Sequence, residues 1–194
     1  GMHLHPDDPC VMMAEGAWET PFGELRVETQ LAGELARQFS FSLESFNNFA
    51  QDNTIELQLP FIKYFFKNAR IVAMGVPPAR SSLAIAQAVV EIAKRLDLNI
   101  KVIGSTDLTH YGPNYGFVSK GAGPQALDWV RDQNDRRIID LMLNMDAEKV
   151  IDKVGQGEKG GTCIEAIAVG PYLIEFASRS FGRLKYIHIV PFKP

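Results

Sequence analysis

Over residues 27–39 the apolar positions Leu31, Leu35 and Phe39 fall four apart with charged residues between them, the period of an amphipathic helix. Further on, Ile55, Leu57 and Leu59 alternate with Glu56 and Gln58 before Pro60 and an aromatic run that ends at Phe66, a pattern that suits a strand or a helix. Residues 71–76 form a short apolar run closed by Pro77 and Pro78, and residues 100–104 form a second. The segment between them, 81–96, has helical spacing, with Ser81 or Ser82 placed to cap it. Two apolar strands joined by a helix of that length make a βαβ crossover, hence a parallel pair and a right-handed connection. The fold class expected is therefore α/β, with a mixed or mostly parallel sheet flanked by helices. Residues 125–145 read as a long helix with Leu127, Val130, Ile138, Leu141 and Met142 apolar, followed by a short one over 146–154, together covering one sheet face. Glycines within 155–161 then lead to an apolar helix over 163–176 and a final strand over 184–190. No internal repeat or low-complexity linker interrupts this order.

Composition narrows the class. A chain of 194 residues, 46% hydrophobic and 22% charged, can bury one substantial core and is short for two, so residues 1–194 read as a single domain. Twenty Lys and Arg against 23 Asp and Glu, with no basic cluster, argue against nucleic acid as a partner. The longest apolar stretch, 164–177, is broken by Glu165, Pro171 and Glu175 and falls short of the roughly 20 residues that cross a bilayer, so no membrane partner is expected. No leader sequence is evident, and Cys10 and Cys163 lie far apart, which fits reduced thiols in a cytoplasmic protein.

Candidate chemistry concentrates in residues 105–123, a loop with five glycines or prolines that begins where the second apolar run ends. Ligand sites of open α/β sheets lie at such strand ends. Within Ser105-Thr106-Asp107-Leu108-Thr109-His110-Tyr111-Gly112 a carboxylate and an imidazole stand three residues apart. Imidazole suits acid/base work near neutral pH, and Asp107 can orient the ring, hold a substrate or a metal-bound water, or fix the loop. The plainer alternative makes Asp107 a cap and His110 a packing residue. His3 and His5 flank the expected end of an early strand, where alternation puts both rings on one side as metal ligands require; a solvated chain end is the competing reading. Cys163 opens a helix after Gly160, Gly161 and Thr162, so it is either a thiolate ligand or a buried inert thiol. Glu15, Glu19 and Glu56 are weaker polar candidates, whereas Cys10 and His188 read as structural. No P-loop, dinucleotide fingerprint, nucleophile elbow or Cys-x-x-Cys pair occurs, which disfavours phosphoryl transfer and serine hydrolysis.

Three separated segments, residues 12–21 (MMAEGAWETP), 55–61 (IELQLPF) and 105–116, resemble in order and spacing the MEMO family, the Memo component of the bacterial AmmeMemoRadiSam set. The resemblance runs through nearly the whole chain. It implies an α/β fold like that of the class III non-haem iron extradiol dioxygenases, and with it a divalent metal, iron first and copper or zinc as alternatives. On this likeness His110 and Asp107 match the family's loop histidine and aspartate, and His3 or His5 its ligand histidine after the early strand. Cys163 falls one position from the register of the family's cysteine. Where relatives carry Glu-His-Ser-Ile-Glu this chain has Asp52-Asn53-Thr54-Ile55-Glu56, so Asn53 replaces an imidazole while Glu56 is retained. Asn53, Glu56 and Tyr111 are thus expected around a substrate. The family's first strand, with its His-Ala-Gly-Tyr-like motif, is expected upstream of Met2, and a further closing strand beyond Pro194. Open sheet edges of that kind make a homo-oligomer an expected partner. Also implied are a small-molecule ligand, a radical SAM protein partner, and either a metal-dependent oxidoreductase or a non-catalytic binding module.

Overall fold

The computed structural model describes residues 4–105 and 107–155. The early chain enters a strand, β1 (Cys10–Met13), then a hairpin of β2 (Ala17–Thr20) and β3 (Gly23–Arg26). Thr20 and Gly23 are paired across the two-residue turn Pro21-Phe22; the Thr20 hydroxyl donates to the Gly23 carbonyl at 2.7 Å and accepts from the Phe22 amide at 3.2 Å. Gly23 has φ +106°, where a Cβ is strained, so glycine is the natural residue there. The expected helix over 27–39 is present as α1 (Thr29–Gln38), capped by Glu28, whose carboxylate accepts from the Gln30 amide. It leads to β4 (Phe41–Glu44), which pairs in parallel with β1.

A parallel crossover therefore exists, but the chain builds it from β1, α1 and β4 instead of around the later helix. The expected strand at 71–76 contracts to β5 (Met74–Gly75), and it runs antiparallel to β1, giving a mixed sheet of order β4-β1-β5. The run 100–104 is not a strand. Its residues Ile100 and Val102 pack, partly buried, against the core without joining a ladder, while Ile103 is exposed, so the apolar run reported burial only in part and hydrogen bonding wrongly. The ambiguous segment after residue 52 resolves into two short helices, α2 (Asn53–Glu56) and α3 (Leu59–Phe65), with Leu57 between them exposed.

The helix between the two runs is α4 (Arg80–Arg95). Neither serine caps it. Ala79 stands at the cap position, and Ser82, inside the first turn and fully buried, donates to the Pro77 carbonyl at 2.8 Å. Fully buried Ala32, Ala86 and Ala93 lie on α1 and α4, which pack on one another in the main core with Met12, Leu35 and Val90. A second cluster joins Leu83 of α4 to Ile138, Met142, Val150 and Ile151.

The single helix expected over 125–145 is three pieces: α5 (Pro124–Trp129), a π-helical turn over Val130–Asp135, and α6 (Arg136–Leu143); α7 (Ala147–Gly155) follows. Leu127 is exposed, and Ile138 and Met142 face α4 and α7 instead of a sheet face. The helix expected over 163–176 and the strand expected over 184–190 lie outside the described residues. Among the described residues no helix is long and apolar enough to cross a membrane.

Candidate functional site

Thr109 fixes the loop that carries Asp107 and His110. Its amide donates to Asp135 Oδ1 at 3.1 Å and its hydroxyl donates to the same oxygen, while Asn134 Nδ2 donates to the Thr109 hydroxyl at 2.6 Å. Both of these residues, Asn134 and Asp135, lie in the π-helical turn, a feature frequent at functional sites. Asn134 is buried, and its own carbonyl accepts from Arg137 at 2.6 Å.

Beyond His110 the chain reverses through a 3-10 turn over Pro113–Tyr115, flanked by Gly112 at φ +127° and Gly116 at φ +65°, with Gly112 and Phe117 bridged. This reversal lays the Tyr115 ring on the His110 imidazole, centroids 4.8 Å apart at 33°. Tyr111 is held differently: its hydroxyl donates to the Gly121 carbonyl at 2.9 Å and accepts from the Lys120 amide at 2.8 Å. Its ring meets Phe117 at 5.3 Å and Trp129 at 6.2 Å. The structure thus uses Tyr111 to clamp residues 117–121, and the ring beside His110 is Tyr115.

His110 Nε2 lies 3.1 Å from Asp107 Oδ2, with the two side chains 28% and 42% exposed. A carboxylate accepts, so the contact is an Nε2–H of the ring donating to Asp107. Asp107 sets ring orientation, Tyr115 covers one face, and partial exposure leaves a route for a ligand. This arrangement can take or give a proton.

The remaining expected site residues are dispersed. Asn53 and Glu56 lie on α2, both exposed, and Glu56 borders a cleft with Asp52 and Glu44. His5 is in an exposed turn before β1, where its amide donates to Asp8 at 2.6 Å and its ring lies 3.5 Å from Asp7. His3 and Cys163 lie outside the described residues. Among the described residues no group of three or more His, Cys, Asp or Glu side chains is disposed to hold a metal ion. The imidazole and carboxylate of the loop pair are suitable donor types but do not by themselves complete a metal shell among the described residues. Thr109, Asn134, Asp135 and Tyr115 escaped the sequence reading. The Thr109 partners are 25 and 26 residues away, a separation with no local signature.

An α/β chain with an Asp–His pair on a glycine-rich loop is a broad description, and comparison narrows it. A family model described as Memo-like protein matches residues 2–186. The chain belongs to the Memo-like family. Among similar proteins, the MEMO1 family protein of Thermococcus onnurineus is 30% identical over 152 residues, 75% of this chain and 52% of its own length. That of Pyrococcus abyssi is 31% identical over 159 residues, 78% and 54% of the two chains, and that of Methanopyrus kandleri 29% over 169 residues, 81% and 55%. The chain spans about half the length of these curated relatives.

Proposed function

We propose that this Memo-like chain binds a small oxygenated molecule at the 105–123 loop and that His110, oriented by Asp107, exchanges a proton with it. The observation that carries this reading is the 3.1 Å Asp107–His110 contact on a loop pinned by Thr109 and partly open to solvent. A hydroxyl of the ligand would meet the His110 imidazole, and an aromatic ligand would lie beside the exposed Tyr115 ring. Catechol carries both features and serves as the probe. Its titration followed by NMR should shift the His110 and Tyr115 ring signals saturably, and His110→Ala should weaken binding about tenfold or more, the loss of one well-made polar contact. Equal binding by wild type and His110→Ala would overturn the reading.

A second reading, a metal-dependent oxidoreductase related to the non-haem iron extradiol dioxygenases, is favoured by the donor chemistry of the pair and by the family match. His3 or His5 and Cys163 would then join as ligands, with iron, copper or zinc bound, and a radical SAM protein becomes a candidate partner. Elemental analysis of protein purified without a metal-affinity tag, with and without Fe(II) under anaerobic conditions, tests it. Near-stoichiometric metal lost in the His3→Ala/His5→Ala double variant supports it, and metal in no form leaves the binding reading.

A further inference from the structure

We propose that the cleft bordered by Asp52 is a binding site for a primary ammonium group on a short aliphatic stem. Asp52 caps α2 and is only 7% exposed. Both capping contacts fall on Oδ1, which accepts from the Thr54 amide and the Thr54 hydroxyl at 2.8 Å each. Oδ2 is buried with no hydrogen-bond partner among the described residues. A buried carboxylate oxygen calls for a donor, because its desolvation is offset only by a hydrogen bond or a cation.

The surroundings specify which donor. Two further carboxylates, Glu44 and Glu56, border the same cleft, and among the described residues no Lys, Arg or His does. Glu44 accepts from the Ala50 amide at 2.8 Å, which folds residues 45–50 back so that Phe49 forms a wall. Trp18 and Met13 supply further apolar surface. Met13 and Glu44 are the last residues of the parallel strands β1 and β4, so the cleft opens at the strand ends where α/β sheets take ligands. Its volume of about 20 Å³ admits one water-sized group, the size of an ammonium head.

A metal ion fits less well, since the three carboxylates do not form a metal-holding group among the described residues. An alkylammonium would place one of its three N–H donors on Oδ2 and turn the others toward the cleft mouth, where Glu44, Glu56 and water can accept, with the aromatic walls along its stem.

n-Butylammonium chloride is the probe, titrated into the full chain and followed by the backbone amides of residues 44 and 52–56 and the Trp18 indole. Saturable shifts are expected, about tenfold weaker for n-butanol, which keeps the stem and loses the charge. Asp52→Asn keeps the capping oxygen, so α2 is retained, but it should weaken the ammonium about tenfold; Glu56→Gln, an exposed change that leaves folding intact, should weaken it by about threefold. Equal affinity for butanol and butylammonium, tighter binding of Mg²⁺ or Ca²⁺ than of the amine, or no saturation overturns the proposal. Were Asp52→Asn to unfold, unaltered binding by Glu56→Gln would overturn it.

Discussion

Burial opposes ionisation at Cys10. Desolvation by burial pushes the thiol above its ordinary value of 9.0. A native pKa above the unfolded one means that this group's stabilisation is complete below about pH 9 and is lost as pH rises through the native value. The thiolate fraction at pH 8 is correspondingly small, so iodoacetamide should modify Cys10 several-fold more slowly in the native chain than in urea, as read by peptide mass spectrometry. Native modification as fast as that in urea would contradict the assignment. The loop pair shows what a single residue reveals in a sequence. The Asp107–His110 contact was legible because three residues of separation on one loop suffice to suggest it, although the strand expected before that loop is absent. The free oxygen of Asp52 was not: Asp-Asn-Thr signals a helix cap, but only the fold decides which carboxylate oxygen stays unpaired.

Between elements, periodicity identified the helices better than it identified the sheet. Spacings of three and four report which face of α1 and α4 is apolar, and the core lies on those faces. Strand pairing depends on partners far along the chain, so the run 100–104 carried the composition of a strand without its ladder, and the parallel pair formed between β1 and β4. Leu35 and Leu127 separate pattern from packing. Leu35→Ala should cost about 2–5 kcal/mol in urea unfolding with an unchanged slope, whereas Leu127→Ala on exposed α5 should stay within about 0.5 kcal/mol. The π turn makes a second claim at this scale. It positions Asp135 to hold Thr109, so Asp135→Ala leaves a loop amide without its acceptor, at a cost of about 1–3 kcal/mol. Amide exchange at Thr109 and His110 should then accelerate by about tenfold or more while exchange in α4 stays slow. Uniform acceleration throughout the chain would mean that the contact supports global stability instead of the loop.

Across the molecule, α4 is the shared member of both hydrophobic clusters. Ile85, Val89 and Val90 belong to the core around β1 and α1, and Leu83 belongs to the cluster of α6 and α7. At its start Arg80 pairs with Asp152 at 2.7 Å and Glu148 at 3.6 Å on α7, exposed contacts that set geometry more than they add stability. Removing either cluster strips apolar cover from the same helix, so the two halves should unfold together. Two tryptophans report on them separately: Trp18 packs on the first core, and Trp129 stands among Tyr111 and Phe117 beside the His110 loop. In Trp129→Phe and Trp18→Phe variants, each retaining one reporter, the fluorescence transition should match that variant's own far-UV circular dichroism transition. If in either variant the tryptophan signal moved well before the dichroism, α4 would be an interface between independently folding parts. The Asp107–His110 loop would then owe its geometry to the α5–α7 part alone.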